Sequence, residues 1–113
     1  IKRLLNNEVF IKRTFGKNEI KSSKKILNKI NYFAKRFAAK EALAKSIGTG
    51  FRNNLNFKDI SIVNNKKGKP TFVINDKIKK IIKRLFKTSS FNFFLSISDD
   101  KKYSIAYVIL QKK

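Results

Sequence analysis

The sequence predicts an α+β fold in which an antiparallel sheet packs against a long central helix. Apolar residues recur with helical spacing through the first part of the chain. From Asp59 the period changes to two, which is typical of strands that alternate between an inner and an outer face. Helices that precede the strands indicate segregated elements of the α+β class.

Three helices are predicted before the strands. The first runs from Ile1 to about Phe15 and is a basic amphipathic helix that Gly16 ends. The second begins at an N-cap at Asn18 and reaches about Ile30. The third and longest starts near Asn31 and ends at Gly48, because glycine readily adopts the left-handed conformation of a C-cap.

The second part of the chain predicts two hairpins separated by one helix. We expect a first hairpin over Ile60–Val63 and Thr71–Ile74, a helix capped by Asp76 that reaches Phe86, and a second hairpin over Phe91–Ser98 and Tyr103–Leu110. Pro70 stands at the mouth of the second strand, where a missing amide hydrogen is tolerated. Phe91, Phe93 and Leu95 share one face of their strand and are expected to be buried.

Composition limits the possible chemistry. The 113 residues suit one domain with one core. There are 28 Lys and Arg against 7 Asp and Glu, a net charge of +21, so a partner that docks by charge would be acidic: nucleic acid, an anionic membrane, a phosphorylated cofactor or an acidic protein. Coding bias is the alternative, because Lys, Asn and Ile are abundant together.

The absence of two residue types narrows the chemistry further. The sequence contains no Cys and no His, which excludes disulfides, thiolate metal sites and a histidine base. Carboxylates, lysines, hydroxyls and an oxygen-liganded metal remain. No apolar run approaches the roughly 20 residues of a membrane span and no signal peptide is visible, so we expect a cytoplasmic location without membrane insertion.

Glu41 is the carboxylate that most resembles a functional group. Phe33, Phe37, Glu41 and Lys45 recur at every fourth position of the third helix, among several alanines. A charge placed there needs compensation by Lys45, by a metal or by both. An ordinary ion pair within the helix and a metal site therefore both stand as interpretations.

Two loops suit phosphate groups. Gly48–Gly50 and Gly68–Pro70 combine accessible backbone amides with nearby lysine or arginine side chains. The motif Phe33–Gly50, FAKRFAAKEALAKSIGTG, resembles the signature of the holo-acyl-carrier-protein synthases, the small 4'-phosphopantetheinyl transferases. The likeness continues through Asp59 and Ile60, through Gly68–Pro70, and through Leu95–Asp99 and Tyr103, Ala106 and Val108.

This resemblance implies a function in fatty acid biosynthesis. The family transfers 4'-phosphopantetheine from coenzyme A to a serine of apo acyl carrier protein, giving holo acyl carrier protein and 3',5'-ADP. The resemblance implies that Glu41 is catalytic and holds Mg²⁺ and that Lys45 is catalytic and faces the coenzyme A phosphates. The residues that would line the nucleotide and pantetheine channel are Gly48, Thr49, Gly50, Gly68, Lys69 and Pro70. The family forms homotrimers with active sites between subunits.

The basic first helix then has an expected partner. Arg3, Lys12 and Arg13, with Phe10 as an apolar anchor, would meet the acidic helix of the carrier protein. Two features differ from the family pattern. Residues 1–113 form a single transferase domain in which the N-terminal strand with its G-x-D motif, a second source of a magnesium ligand, is expected to be missing. Phe94 also replaces a residue that is often His.

Two alternatives remain open from the sequence. A basic nucleic-acid-binding module would explain the net charge and the interleaved aromatic residues, and it predicts aromatic rings exposed on a strand surface. The sequence disfavours it, because no recognised nucleic-acid motif is present. A noncatalytic remnant of the family is the other alternative, and it rests on the missing aspartate.

Overall fold

The computed structural model describes residues 5, 7–48, 55–99 and 104–113. Within these ranges the fold is α+β, as predicted. The helices are α1 (Glu8–Thr14), α2 (Lys17–Ser23), α3 (Lys29–Ile47) and α4 (Asp76–Phe86), with a 3-10 helix over Phe57–Asp59. The strands are β1 (Ser61–Asn64), β2 (Pro70–Val73), β3 (Phe91–Asp99) and β4 (Ser104–Lys112).

α1 is shorter than the predicted helix. The backbone of Asn7 is extended, with φ −95° and ψ 117°, so a helix that continues through this residue is wrong. The side-chain oxygen of Asn7 accepts hydrogen bonds from the amides of Val9 at 2.9 Å and Phe10 at 3.2 Å. These bonds satisfy two of the amides that a helix start leaves without partners. The predicted first residues, 1–4 and 6, lie outside the described ranges.

α2 also differs from the prediction at both ends. It begins after Gly16 instead of Asn18, because the Glu19 carboxylate accepts a hydrogen bond from the Gly16 amide at 3.2 Å. It ends at Ser23, well before Ile30, and residues 24–28 form a turn and a bend. The chain therefore reaches α3 through a short exposed connection.

α3 confirms the predicted central helix. Its N-cap is Asn28, whose side chain accepts from the Asn31 amide at 3.0 Å, and its C-cap is Gly48. The helix has 19 residues, which corresponds to a length of about 28 Å. Eight of these residues are buried: Tyr32, Phe33, Arg36, Ala39, Lys40, Leu43, Ala44 and Ile47. α3 is thus the element against which the others pack.

Three groups of apolar side chains cover successive parts of α3. Its N-terminal half packs with α1 and α2 through Phe15 and Tyr32. Its middle meets the sheets where Ala39 contacts Ile62 and Leu95. Its C-terminal half packs against α4, where Leu43 and Ile82 are completely buried. A helix covered along its whole length by different neighbours is fixed by tertiary contacts more than by intrinsic propensity.

The antiparallel pairing is confirmed, as two separate two-stranded ladders. β1 pairs with β2 so that Asn64 lies opposite Pro70, the predicted position for a proline at the mouth of a strand. β3 pairs with β4 so that Leu95 lies opposite Val108. The described residues do not hydrogen-bond the two ladders into one sheet, although β2 lies beside β3.

The β3–β4 hairpin has one covered and one open face. Phe91 and Phe93 pack against the core as predicted, and Leu95 is buried. The opposite face exposes apolar side chains on both strands: Phe94, Ile105, Tyr107 and Ile109. Period-two alternation explains the division of the two faces, since successive side chains of a strand point to opposite sides.

α4 follows the predicted apolar stripe for two turns only. Asn75 is its N-cap, accepting from the Ile78 amide at 2.9 Å, so Asp76 lies in the first turn and is not the cap. Ile78, Ile81 and Ile82 are buried, as predicted. In the described residues we find no helix long and apolar enough to cross a membrane.

The packing of α4 gives a direct test of the core. Ile82→Ala should lower the free energy of unfolding by about 2–5 kcal/mol, because it leaves a cavity at a side chain with no exposed surface. Leu85→Ala on the same helix, where the side chain is 39% exposed, should cost below about 1 kcal/mol. Urea denaturation at one protein concentration measures both. Equal losses would contradict the described orientation of α4.

Candidate functional site

Glu41 and Lys45 lie on α3, one turn apart, outside its buried face. Glu41 is half-buried and Lys45 is exposed. The structure places no ion pair between them, and none joins Glu41 to any other side chain in the described ranges. The interpretation of an ordinary pair within the helix is therefore wrong. A half-buried carboxylate without a cationic partner can accept a metal or another cation.

A metal at Glu41 would depend on ligands beyond this chain's described side chains. The described residues contain no group of three or more carboxylates, histidines or cysteines that could hold a metal. Mg²⁺ commonly takes one or two protein carboxylates and completes its shell with substrate phosphates and water. Glu41 fits the role of such a single carboxylate.

Gly48 ends α3 as predicted. Its φ of 90° lies in the left-handed region, and its amide donates to the Lys45 carbonyl at 2.9 Å. A side chain at this position would be strained whatever the space around it, so glycine is required by the backbone. Thr49 and Gly50, the next two predicted channel residues, lie outside the described ranges.

The Gly68–Pro70 turn is built around the side chain of Asn65. The oxygen of that side chain accepts from the amides of Lys67 and Lys69, both at 2.9 Å. The Gly68 amide donates to the Asn65 carbonyl at 2.9 Å, and Gly68 has a φ of 80°. The turn is therefore a defined structure that joins β1 to β2, with exposed lysines along it.

Lys69 and Pro70 line an open cavity of about 370 Å³ between this turn and β3. Its other walls include Phe72, Phe91 and Phe94. Lysine and apolar rings together suit a ligand that carries both phosphate and a flat aromatic base. Glu41 and Lys45 are not among its lining residues. The two predicted halves of the site therefore do not meet in this cavity of a single chain.

The predicted partner-binding side chains of α1 point in two directions. Lys12 and Arg13 are exposed in its last turn. Phe10 is half-buried, and its ring lies 5.8 Å from the ring of Phe37 on α3. Phe10 thus attaches α1 to the body of the protein more than it offers an open anchor. Arg3 lies outside the described ranges.

A buried charged cluster beside the site was missed by the sequence reasoning. It consists of Glu19 on α2 and Arg36 and Lys40 on α3. Lys40 has no exposed surface, and its ammonium donates to the Glu19 carboxylate at 2.6 Å. The Arg36 Nε lies 3.7 Å from the other oxygen of that carboxylate. Two buried cations therefore share one carboxylate.

The Lys40 ammonium also donates to two backbone carbonyls at 3.0 Å, those of Thr14 and Phe57. It lies 5.0 Å from the centre of the Phe15 ring, a favourable position for a cation. Burial lowers the pKa of Lys40 below its ordinary value, and the carboxylate of Glu19 acts in the opposite direction. The three hydrogen bonds satisfy all three donors of the ammonium.

A signal for this cluster exists in the sequence. Tyr32, Arg36 and Lys40 are spaced by four, one position before the stripe that begins at Phe33, and Leu43 and Ile47 extend the same side. Charged residues on a stripe otherwise made of core residues indicate a buried network when a carboxylate is available. Spacing alone does not identify Glu19 as that carboxylate, because it lies 21 residues from Lys40 on another helix.

Comparison with known proteins identifies the family of this chain. The family model of the 4'-phosphopantetheinyl transferase superfamily matches residues 1–108, and this chain belongs to that family. Within it, the chain is similar to a holo-[acyl-carrier-protein] synthase from Pelagibacter ubique. The two are 67% identical over 113 residues, which cover all of this chain and 88% of the relative.

Solved structures agree with this assignment. The structure of holo-[acyl-carrier-protein] synthase from Neisseria meningitidis matches with a TM-score of 0.84 and 32% identity, covering 99% of this chain and 90% of that one. The enzyme from Bacillus anthracis, solved in complex with coenzyme A (3',5'-ADP), matches with a TM-score of 0.80 and 30% identity, covering 100% and 87%. The predicted fold of the family is thereby confirmed.

The shared carboxylate of the buried cluster predicts an order of stabilities. Glu19→Gln should lower the free energy of unfolding by about 3–5 kcal/mol, because it leaves two buried cations without a counter-ion. Lys40→Met should cost less, since Glu19 and Arg36 still balance each other. Urea denaturation at a fixed protein concentration measures both. A larger loss for Lys40→Met than for Glu19→Gln would contradict the central role of Glu19.

Proposed function

We propose that this chain transfers the 4'-phosphopantetheine group of coenzyme A to a serine of apo acyl carrier protein. The products are holo acyl carrier protein and 3',5'-ADP. Family membership and 67% identity to a holo-[acyl-carrier-protein] synthase support the reaction. The observation that carries it to particular residues is Glu41, a half-buried carboxylate with no ion pair among the described side chains, one turn before the exposed Lys45.

The reaction needs neutralised charge and alignment more than covalent catalysis by the protein. The serine hydroxyl attacks the β-phosphorus of the coenzyme A pyrophosphate and releases its proton to water, while the bond to the bridging oxygen breaks and 3',5'-ADP leaves. Mg²⁺ held by Glu41 would supply charge neutralisation at the pyrophosphate. Lys45 adds a cation one turn further along α3, where it can face the same phosphates.

The cavity beside the Gly68–Pro70 turn is proposed as the nucleotide half of the site. Lys69 provides a cation for phosphate, and Pro70 with the ring of Phe91 provides apolar walls for the base. Phe94 can stack on a flat ring but donates no hydrogen bond. Gly48, with Thr49 and Gly50 after it, is proposed to line the pantetheine side next to Lys45.

We propose a homotrimer with the active sites between copies. The outer face of β3–β4 exposes Phe94, Ile105, Tyr107 and Ile109, and the side chain of Tyr107 is 70% exposed. A contiguous apolar face of this kind marks an association surface. In a single chain, Glu41 and Lys45 do not line the cavity at Lys69. Association would bring Glu41 and Lys45 of one copy to the cavity of another.

The carrier protein is proposed to dock on α1. Lys12 and Arg13 are exposed and adjacent in its last turn, and Arg3 precedes it in the sequence. Positive side chains on one surface accelerate encounter with an acidic partner and fix its orientation. Phe10 is proposed to secure the helix beneath them through its contact with Phe37.

The metal role of Glu41 has a direct test. Incubation with coenzyme A, Mg²⁺ and an apo acyl carrier protein should add the mass of phosphopantetheine to the carrier. Glu41→Gln should lower the rate by roughly 100-fold or more, and EDTA should abolish it, because charge neutralisation at the pyrophosphate is lost. Asp76→Asn, which changes an exposed carboxylate on α4, should retain the rate. Near-normal turnover by a folded Glu41→Gln variant would contradict the metal role.

The location of the site between copies predicts complementation. Glu41→Gln and Lys69→Glu should each be weakly active alone, because each removes one half of every site. The two variants are then unfolded and refolded together in equal amounts. If copies assemble at random, about a quarter of the interfaces should combine an intact Glu41 from one variant with an intact Lys69 from the other. Mass spectrometry of the carrier measures the recovered rate, and each variant refolded alone is the control. No recovery in mixtures shown by light scattering to be oligomeric would contradict the shared site.

A further inference from the structure

The ammonium of Lys40 joins three segments that are distant in sequence. Its partners are the Thr14 carbonyl at the end of α1, the Glu19 carboxylate on α2 and the Phe57 carbonyl of the 3-10 helix. These partners are 26, 21 and 17 residues away along the chain. One side chain of α3 therefore holds the surrounding elements at fixed positions.

α1 depends on such contacts for its position. It has seven residues, and a helix of this length is not stable by itself in water. Its apolar contacts to α3, such as Phe10 on Phe37, are not directional and allow small displacements. The hydrogen bond from Lys40 to the Thr14 carbonyl is directional, and a cation at a helix C-terminus is favourable. This bond sets where the last turn of α1 lies along α3.

The same bond lies between the two proposed functional surfaces. Lys12 and Arg13 immediately precede Thr14, and Glu41 immediately follows Lys40. We infer that Lys40 is a positioning residue, whose ammonium holds the carrier-docking side chains of α1 at the distance from Glu41 that the transfer requires. This inference rests on the proposed function and assigns a role to a side chain that touches neither substrate.

The absence of cysteine from the sequence allows the ammonium to be tested alone. The thiol of Lys40→Cys can be alkylated in denaturant and the protein refolded. An aminoethyl group on sulfur restores the length and charge of lysine, whereas a propyl group has nearly the same shape without the charge or the donors. The two derivatives therefore differ in the charge and the hydrogen-bond donors at the end of the side chain, and hardly in shape.

We expect the propyl derivative to transfer phosphopantetheine poorly while remaining folded. Its kcat/KM for apo acyl carrier protein should fall roughly ten-fold below that of the aminoethyl derivative, since a displacement of about 1 Å can cost up to a hundred-fold in rate. Its KM for coenzyme A should stay within about two-fold, because α1 does not contribute to the nucleotide cavity. A general loss of structure would also raise the KM for coenzyme A.

Two results would overturn the inference. The first is an equal kcat/KM for the carrier in the two derivatives when urea unfolding shows both to be folded. The second is an equal fall in kcat/KM in the matched control Lys77→Met, which removes a different ion pair, 2.8 Å long, to Asp59 of the same 3-10 helix. Should the propyl derivative fail to refold, Lys40→Gln takes its place with the same expectation.

One further variant separates this inference from the proposed function. Arg13→Glu should raise the KM for the carrier, because it reverses a charge on the proposed docking surface. If it does so and the two derivatives behave alike, the positioning role alone is wrong. If the unmodified chain transfers phosphopantetheine but Arg13→Glu has no effect, the docking surface is wrong and the positioning role falls with it.

Discussion

A single buried carboxylate is the constraint on which the helical half of this protein depends. Glu19 lies between the ammonium of Lys40 at 2.6 Å and the guanidinium of Arg36 at 3.7 Å, and all three side chains are buried. Burial of these charges is costly because they lose their hydration. In return, the hydrogen bonds of Lys40 connect α1, α2, α3 and the 3-10 helix in a defined geometry. The apolar contacts around it provide cohesion, and the charges provide geometry.

The same helix separates the buried charges from those that we propose to be functional. Arg36 and Lys40 face inward and are paired with Glu19, whereas Glu41 and Lys45 lie outside the buried face. Adjacent residues of a helix are about 100° apart around its axis, so Lys40 and Glu41 lie on different sides of α3. A rigidly held α3 can therefore present a carboxylate and a lysine for phosphate chemistry without using them for its own stability.

Charge and shape together explain how a small chain can handle two large substrates. The net charge of +21 favours acidic partners, and the exposed Lys12 and Arg13 place part of that charge on α1. A second exposed surface lies on the β3–β4 hairpin and not on α1, and it is apolar instead of charged. The separation of Glu41 and Lys45 on α3 from the cavity at the Gly68–Pro70 turn is consistent with the proposed assembly of copies.

The amino-acid sequence alone was enough to predict the α+β class, the central helix ending at Gly48, the two hairpins and the family, because periodicity, glycine positions and the motif around Glu41 are local properties. It misplaced the limits of α1 and α2, since Asn7 and Glu19 form caps that compete with helical spacing. The three-dimensional contacts were needed to show that Glu41 does not pair with Lys45 and that Lys40 meets Thr14, Glu19 and Phe57. Those contacts join segments far apart in the chain, and local pattern does not say which distant carboxylate or carbonyl a buried cation will meet.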